Sequence, residues 1–269
     1  MKTRIISGVV MGFLVAAILT LGYLWQSVII TAAVSILAVI AVYELICNAA
    51  GIRNAEAIVG ACLFAFIISM MGFVTNRLSQ ALILIFFASV AYSIFAVIVI
   101  LRNFGKFGLG RVISLYTLPI IYGVAFFCLD GIINNSNGIY YLLLLLNFSS
   151  VCDMGAYFVG VKFGKHKLCP HISPKKTIEG AIGGIVSSMV VTAILCLCFQ
   201  KTIWIMLLLT IPFCILGMMG DLFASVIKRI VGIKDYGKLI PGHGGVMDRL
   251  DSIIMIAPLM YAISLFAVI

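Results

Sequence analysis

Charge is what this sequence has least of. Asp, Glu, Lys and Arg make up 10% of its 269 residues, and only nine of them are acidic. Soluble domains carry about a quarter charged residues. Here 64% of the chain is hydrophobic and the mean hydropathy is +1.25, which excludes an ordinary soluble enzyme. Histidine is nearly absent, with three residues, and no HExxH pair occurs. The eight cysteines form no CxxC pair, so neither a zinc site nor a disulfide framework is supported; they read as small hydrophobes within helices. Walker A and GxSxG patterns are missing, and nothing pairs a Ser or Cys nucleophile with a base. No internal repeat, low-complexity tract or soluble domain appears.

What is present is long apolar runs. A membrane-spanning helix needs about 20 apolar residues. The pattern predicts an all-α, polytopic membrane protein of about nine such helices, near 5–23, 27–47, 57–74, 80–101, 112–129, 139–160, 178–199, 203–229 and 250–268. The first run, with its basic start and no small-residue cleavage site, reads as an uncleaved helix rather than a signal peptide. Placing the N-terminus in the cytoplasm and alternating puts 16 of the 18 Lys and Arg residues inside, leaving Arg77 and Lys201 outside. That asymmetry supports both the count and the orientation, with the C-terminus outside. It also accounts for the net charge of +9 without any nucleic-acid partner. Residues 1–150 read as a transmembrane scaffold. Residues 151–269 read as the catalytic region, with cytoplasmic loops at 161–177 and 230–249.

The scarce acids are not scattered. Four of the nine lie between Asp221 and Asp251. Asp221 falls inside an apolar segment, where an ionisable side chain costs a few kcal/mol and is functional by default. Asp221, Ser225 and Lys228 share a helical face, and so do Asp248 and Asp251. Arg229, Lys234, Lys238, Pro241, Gly242, His243, Gly244, Gly245 and Arg249 make the intervening loop basic and Gly-rich. Glycines let backbone N–H groups approach phosphate oxygens, and Arg can grip a phosphate with two hydrogen bonds. Hard oxygen donors without Cys or His suit Mg²⁺. Blander readings stand beside these: Asp248 as a helix cap, Asp221 in a buried ion pair with a lysine, and the loop as an anionic-lipid contact.

A second cluster runs from Cys152 to Gly180. Asp153 lies near a helix end. Ser173-Pro174 reads as a helix start, which would place Lys175, Lys176 and Thr177 in a first turn that favours anions. Glu179 is expected to pair with one of the lysines. Gly160 and Gly164, and the stripe Gly180, Gly184 and Ser188, suggest close helix packing.

These motifs carry a family resemblance. Ser225-x-x-Lys228-Arg229, Lys234-Asp235-x-Gly237, Pro241-Gly242-His243-Gly244-Gly245 and Asp248-Arg249-Leu250-Asp251 resemble the signature of the phosphatidate cytidylyltransferase (CDP-diacylglycerol synthase) family. Asp153-x-x-Ala156-Tyr157 and Ile172-Ser173-Pro174-Lys175-Lys176-Thr177-x-Glu179-Gly180 resemble it as well. The resemblance implies Mg²⁺-dependent transfer of the cytidylyl group of CTP to phosphatidate, a step of phospholipid synthesis. It implies Asp221 and Asp248 as metal ligands, with Asp153 and Asp251 as further candidates and room for a second cation. Catalysis would rest on Asp221, Asp248, Lys175, Lys176 and Arg249. Lys175, Lys176, Thr177, Ser225, Lys228, Arg229, Lys234, His243, Gly244, Gly245 and Arg249 would contact substrate. Membrane lipid is the environment, a homodimer is an open partner, and the site would face the cytoplasm of a bacterial inner membrane. Two rivals remain at this point: a CTP-dependent polyprenol or dolichol kinase, and a transporter of anionic solutes.

Overall fold

The computed structural model describes residues 27–74, 78–170, 172–241 and 244–266. The expected first span, 5–23, lies outside them. Seven described helices are long and apolar enough to cross a membrane. Helices are the expected form there, because lipid satisfies no backbone polar group and a helix pairs its own. Large apolar side chains stand exposed along them, Phe86 and Phe87 among others, as a lipid-facing surface permits.

Two compact units divide the chain. One gathers residues up to Gly131 with Val231–Leu250; the other gathers Ile132–Ile230 with the residues from Asp251 onward. In the first unit, α1 (Ser27–Glu44) runs into a π-helical turn, Leu45–Ala49. Gly51, at φ +64°, then turns the chain, in a backbone region that favours glycine. The helices α2 (Ala55–Val74), α3 (Leu78–Arg102) and α4 (Leu109–Ile133) follow. Asp130, expected in a loop, is instead a wholly buried residue of α4.

In the second unit the expected helix 139–160 is interrupted. It consists of α5 (Gly138–Leu146), a π-helical turn (Asn147–Val151) and α6 (Cys152–Phe163). At that turn Asn147 Nδ2 donates to the Ser188 carbonyl at 3.1 Å and to Thr192 Oγ1 at 3.0 Å. Thr192 in turn bonds Thr210 at 3.0 Å. A π-bulge that redirects one polar side chain is a common use of the extra residue. The rest of the unit is β1 (Lys167–Cys169), β2 (Ser173–Thr177), α7 (Ile178–Cys198), α8 (Ile203–Val231) and the part of α9 (Met247–Leu265) beyond Leu250.

Two sequence expectations are corrected here. The region 161–177 is not a plain loop, although the fold as a whole is consistent with an all-α membrane protein. β1 and β2 form an antiparallel ribbon pairing Lys167 with Thr177 and Cys169 with Ser173. Ser173-Pro174 does not open a helix. Thr177 does: it is extended at φ −126°, ψ 155°, and its hydroxyl accepts the Gly180 N–H. A proline lacking its N–H is tolerated on so short an exposed ribbon.

The small-residue stripe behaves as expected. A Cβ on Gly180 would lie 2.6 Å from the Ala156 carbonyl, and one on Gly184 2.6 Å from the Cys152 carbonyl. Both obstacles are backbone, so α6 and α7 would have to separate. We expect Gly184→Val to destabilise the protein by about 1–3 kcal/mol, the cost of overpacking. Thermal unfolding in detergent checks this; an unchanged midpoint would contradict the packing.

Candidate active site

Within the second unit, α6, the β-ribbon, α7 and α8 enclose a cavity of about 590 Å³. Ala156, Tyr157, Val161, Leu168, Ala181 and Met218 supply apolar wall; Asp153, Ser173, Lys175, Lys176 and Asp221 supply the polar part. The two sequence clusters, read separately above, therefore meet here through Asp221.

Asp221 and Lys176 form an ion pair, each side chain about a quarter exposed. Asp153 stands within electrostatic range of both, and Asp251 within range of Asp221, Lys228 and Asp153. A lysine partner for Asp221, the blander reading, is thus present. It does not explain the site away, because the cavity also holds Asp153, Lys167 and Lys175, which the pair leaves out.

The ribbon corrects the placement of the lysines. Lys175 and Lys176 are not in a helix's first turn; they precede α7 on β2. Successive strand residues point to opposite faces, and Lys175 is exposed while Lys176 is half-buried. Thr177, expected to bind substrate, is buried and spends its hydroxyl on the Gly180 N–H at 3.1 Å. Glu179 pairs with neither lysine. Its carboxylate accepts the backbone N–H groups of Lys165 at 3.1 Å and His166 at 3.2 Å, and meets His166 Nδ1 at 2.6 Å. It ties the entry of the ribbon to the start of α7.

Ser225 lies one turn beyond Asp221 on α8 and is half-buried; Arg229, in the last turn, is exposed.

The Gly-rich loop belongs to the first unit and is built around carboxylates. Asp248, in the first turn of α9, is almost fully buried. Its Oδ2 accepts the N–H groups of Tyr236 at 2.7 Å and Gly245 at 3.0 Å. Ile240 and Gly244 bond each other's backbones in both directions. Gly244 takes φ +89° with Asp248 Oδ2 and Asp235 beside it, a position for glycine alone. Lys234, Lys238 and Arg249 are exposed. Gly242 and His243 lie outside the described residues.

One acid went unremarked in the sequence. Glu44, at the end of α1, is buried, and its carboxylate accepts the N–H groups of Val246 at 3.1 Å and Met247 at 2.9 Å. The available signal was simple: a lone acid inside an apolar run.

Among the described residues that line the cavity, the metal donors are carboxylate oxygens, with no His or Cys. Among the described residues no three His, Cys, Asp or Glu side chains are grouped to hold a metal. Asp153 and Asp221 could hold Mg²⁺ in its usual manner, through one or two carboxylates plus waters and substrate phosphate oxygens.

The model of the Cytidylyltransferase family matches residues 2–267. A protein named phosphatidate cytidylyltransferase from Staphylococcus haemolyticus (strain JCSC1435) is 46% identical over 127 residues, covering 46% of this chain and 49% of that protein. Proteins of the same name from Staphylococcus saprophyticus subsp. saprophyticus and Staphylococcus aureus (strain COL) are 42% and 43% identical, with the same coverage. The chain spans about half the length of the curated relatives it matches. The family match itself runs over nearly every residue, and the chain belongs to the cytidylyltransferase family.

Proposed function

We propose that the protein transfers the cytidylyl group of CTP to phosphatidate, giving CDP-diacylglycerol and pyrophosphate, a step of phospholipid synthesis. The setting proposed is a bacterial inner membrane crossed nine times, with the reaction on the cytoplasmic side. The observation that carries the reading is the cavity, which puts Asp153, Asp221, Lys175 and Lys176 together in a family member. The relatives' printed name supplies the lipid substrate.

The chemistry asks little of an acid–base pair. An ionised phosphate oxygen of the lipid attacks the α-phosphorus of CTP. One O–P bond forms, the bond from the α-phosphorus to the bridging oxygen breaks, and pyrophosphate leaves with that electron pair. Both reactants are anions, so the barrier is largely repulsion, and positioning with fixed charge lowers it. Lys175 and Lys176 are the proposed cations for phosphate oxygens, with Lys167 also on the cavity wall. Asp153 and Asp221 would hold Mg²⁺, which when bound supplies neutralisation of phosphate charge. Within the first unit, Lys234, His243 and Arg249 are the Gly-rich loop's proposed phosphate contacts; the N–H groups of Gly244 and Gly245, expected to join them, are already taken by the Ile240 carbonyl and the Asp248 carboxylate.

The test is a product assay. Purified protein in detergent, given CTP and phosphatidate, should release pyrophosphate with Mg²⁺ and none with EDTA. CDP formed with a polyprenol supplied instead would identify a lipid kinase and sink the proposal. So would absence of any turnover by well-folded protein with lipid phosphates.

A further inference from the structure

We propose that Glu44 is a positioning residue for the reaction, acting through the Gly-rich loop; this rests on the cytidylyl-transfer reading. Glu44 sits in the span Val28–Ala49 and is 4% exposed. Burying a carboxylate there is costly. Among the described residues no ion pair offsets it; its partners are the backbone N–H groups of Val246 and Met247. A second carboxylate, Asp248, lies within electrostatic range and adds repulsion. A chain that needed only a filled core would place a hydrophobe here.

What the arrangement achieves is a loop held by its main chain. Glu44 Oε1 takes one N–H and Oε2 the other, so both oxygens are used. Gly237 and Gly245, from opposite ends of the loop, press against the same carboxylate, where any side chain would collide with it. Four residues on, the π-helical turn aims Asn48, whose Nδ2 donates to the Tyr236 carbonyl at 2.6 Å. Asp248 takes the Tyr236 and Gly245 N–H groups. Backbone at 236, 245, 246 and 247 is thereby fixed just after the exposed Lys234, on both sides of the exposed Lys238 and just before the exposed Arg249. Glu44 itself needs no contact with substrate.

The acid is required for its two acceptors. Glutamine has the same shape but turns an NH₂ group toward one of the two N–H donors, so Glu44→Gln keeps the packing and removes half of the clamp. The experiment uses the full chain in detergent and reads two things: hydrogen exchange of the 244–248 amides, and kcat apart from KM. Glu44→Gln should raise exchange there by about tenfold or more. It should lower kcat by about 10–100-fold, the cost of misplacing reacting groups, while KM for CTP changes little. Asn48→Ala should do the same more weakly, and it decides the matter if Glu44→Gln is not recovered folded. Wild-type exchange in the variants, or a loosened loop with undiminished kcat, would overturn the proposal. Absence of turnover in the wild type would instead sink the activity, and the exchange measurement separates the two failures because it needs no turnover.

Discussion

Asp221→Asn is expected to keep the fold and lose cytidylyl transfer by on the order of a thousandfold, the scale of removing one preorganised electrostatic group. The amide matches the carboxylate in shape, so α8 packs as before. What disappears is the charge. Lys176 loses its charged partner, and Asp153 alone faces the cavity as a carboxylate. Both members of the ion pair are about three-quarters buried, but an asparagine oxygen can still accept from Lys176, which holds the stability cost to about 1–2 kcal/mol. The loss should therefore fall on turnover, with the unfolding midpoint lowered by only a few degrees. Parallel melting and pyrophosphate-release measurements check this. Turnover within about threefold of wild type would remove Asp221 from the chemistry.

Asp248→Asn should carry the opposite signature, a large loss in both stability and turnover. Oδ2 of Asp248 receives two backbone N–H groups in a buried setting. An asparagine oxygen can face them, but hydrogen bonds to a neutral acceptor are about half as strong as those to a carboxylate. The Tyr236–Gly245 loop should loosen, and turnover should fall by about a hundredfold or more as the groups proposed to contact phosphate lose their positions. Limited proteolysis between 236 and 245, measured beside activity, reports both. A loop as resistant as wild type together with full activity would contradict the assignment.

The contrast between these acids explains what could be read from sequence. Seven of the expected membrane segments were legible, because hydropathy and length decide them: the expected 178–199 and 203–229 are α7 and α8 to within two residues. The ribbon was not legible. Ser173-Pro174 carries a helix-start signal, and only the pairing with Lys167–Cys169 overrides it. Asp221 announced itself as an acid in an apolar helix, but its meeting with Lys176, 45 residues earlier, is tertiary. Glu44 offered the same local signal as Asp221. Its meaning depends on backbone groups 202 and 203 residues away, and no local pattern encodes that.

The most direct test of the cavity as the place of reaction fills it without touching a charge. Ala181 lines its wall from α7. Ala181→Trp should fold, bind detergent and membrane as the wild type does, and lose pyrophosphate release by about a hundredfold or more, because a bulky side chain misplaces the reacting groups. Wild-type kcat/KM in a folded Ala181→Trp protein would contradict the account and move the chemistry away from Asp153, Lys176 and Asp221.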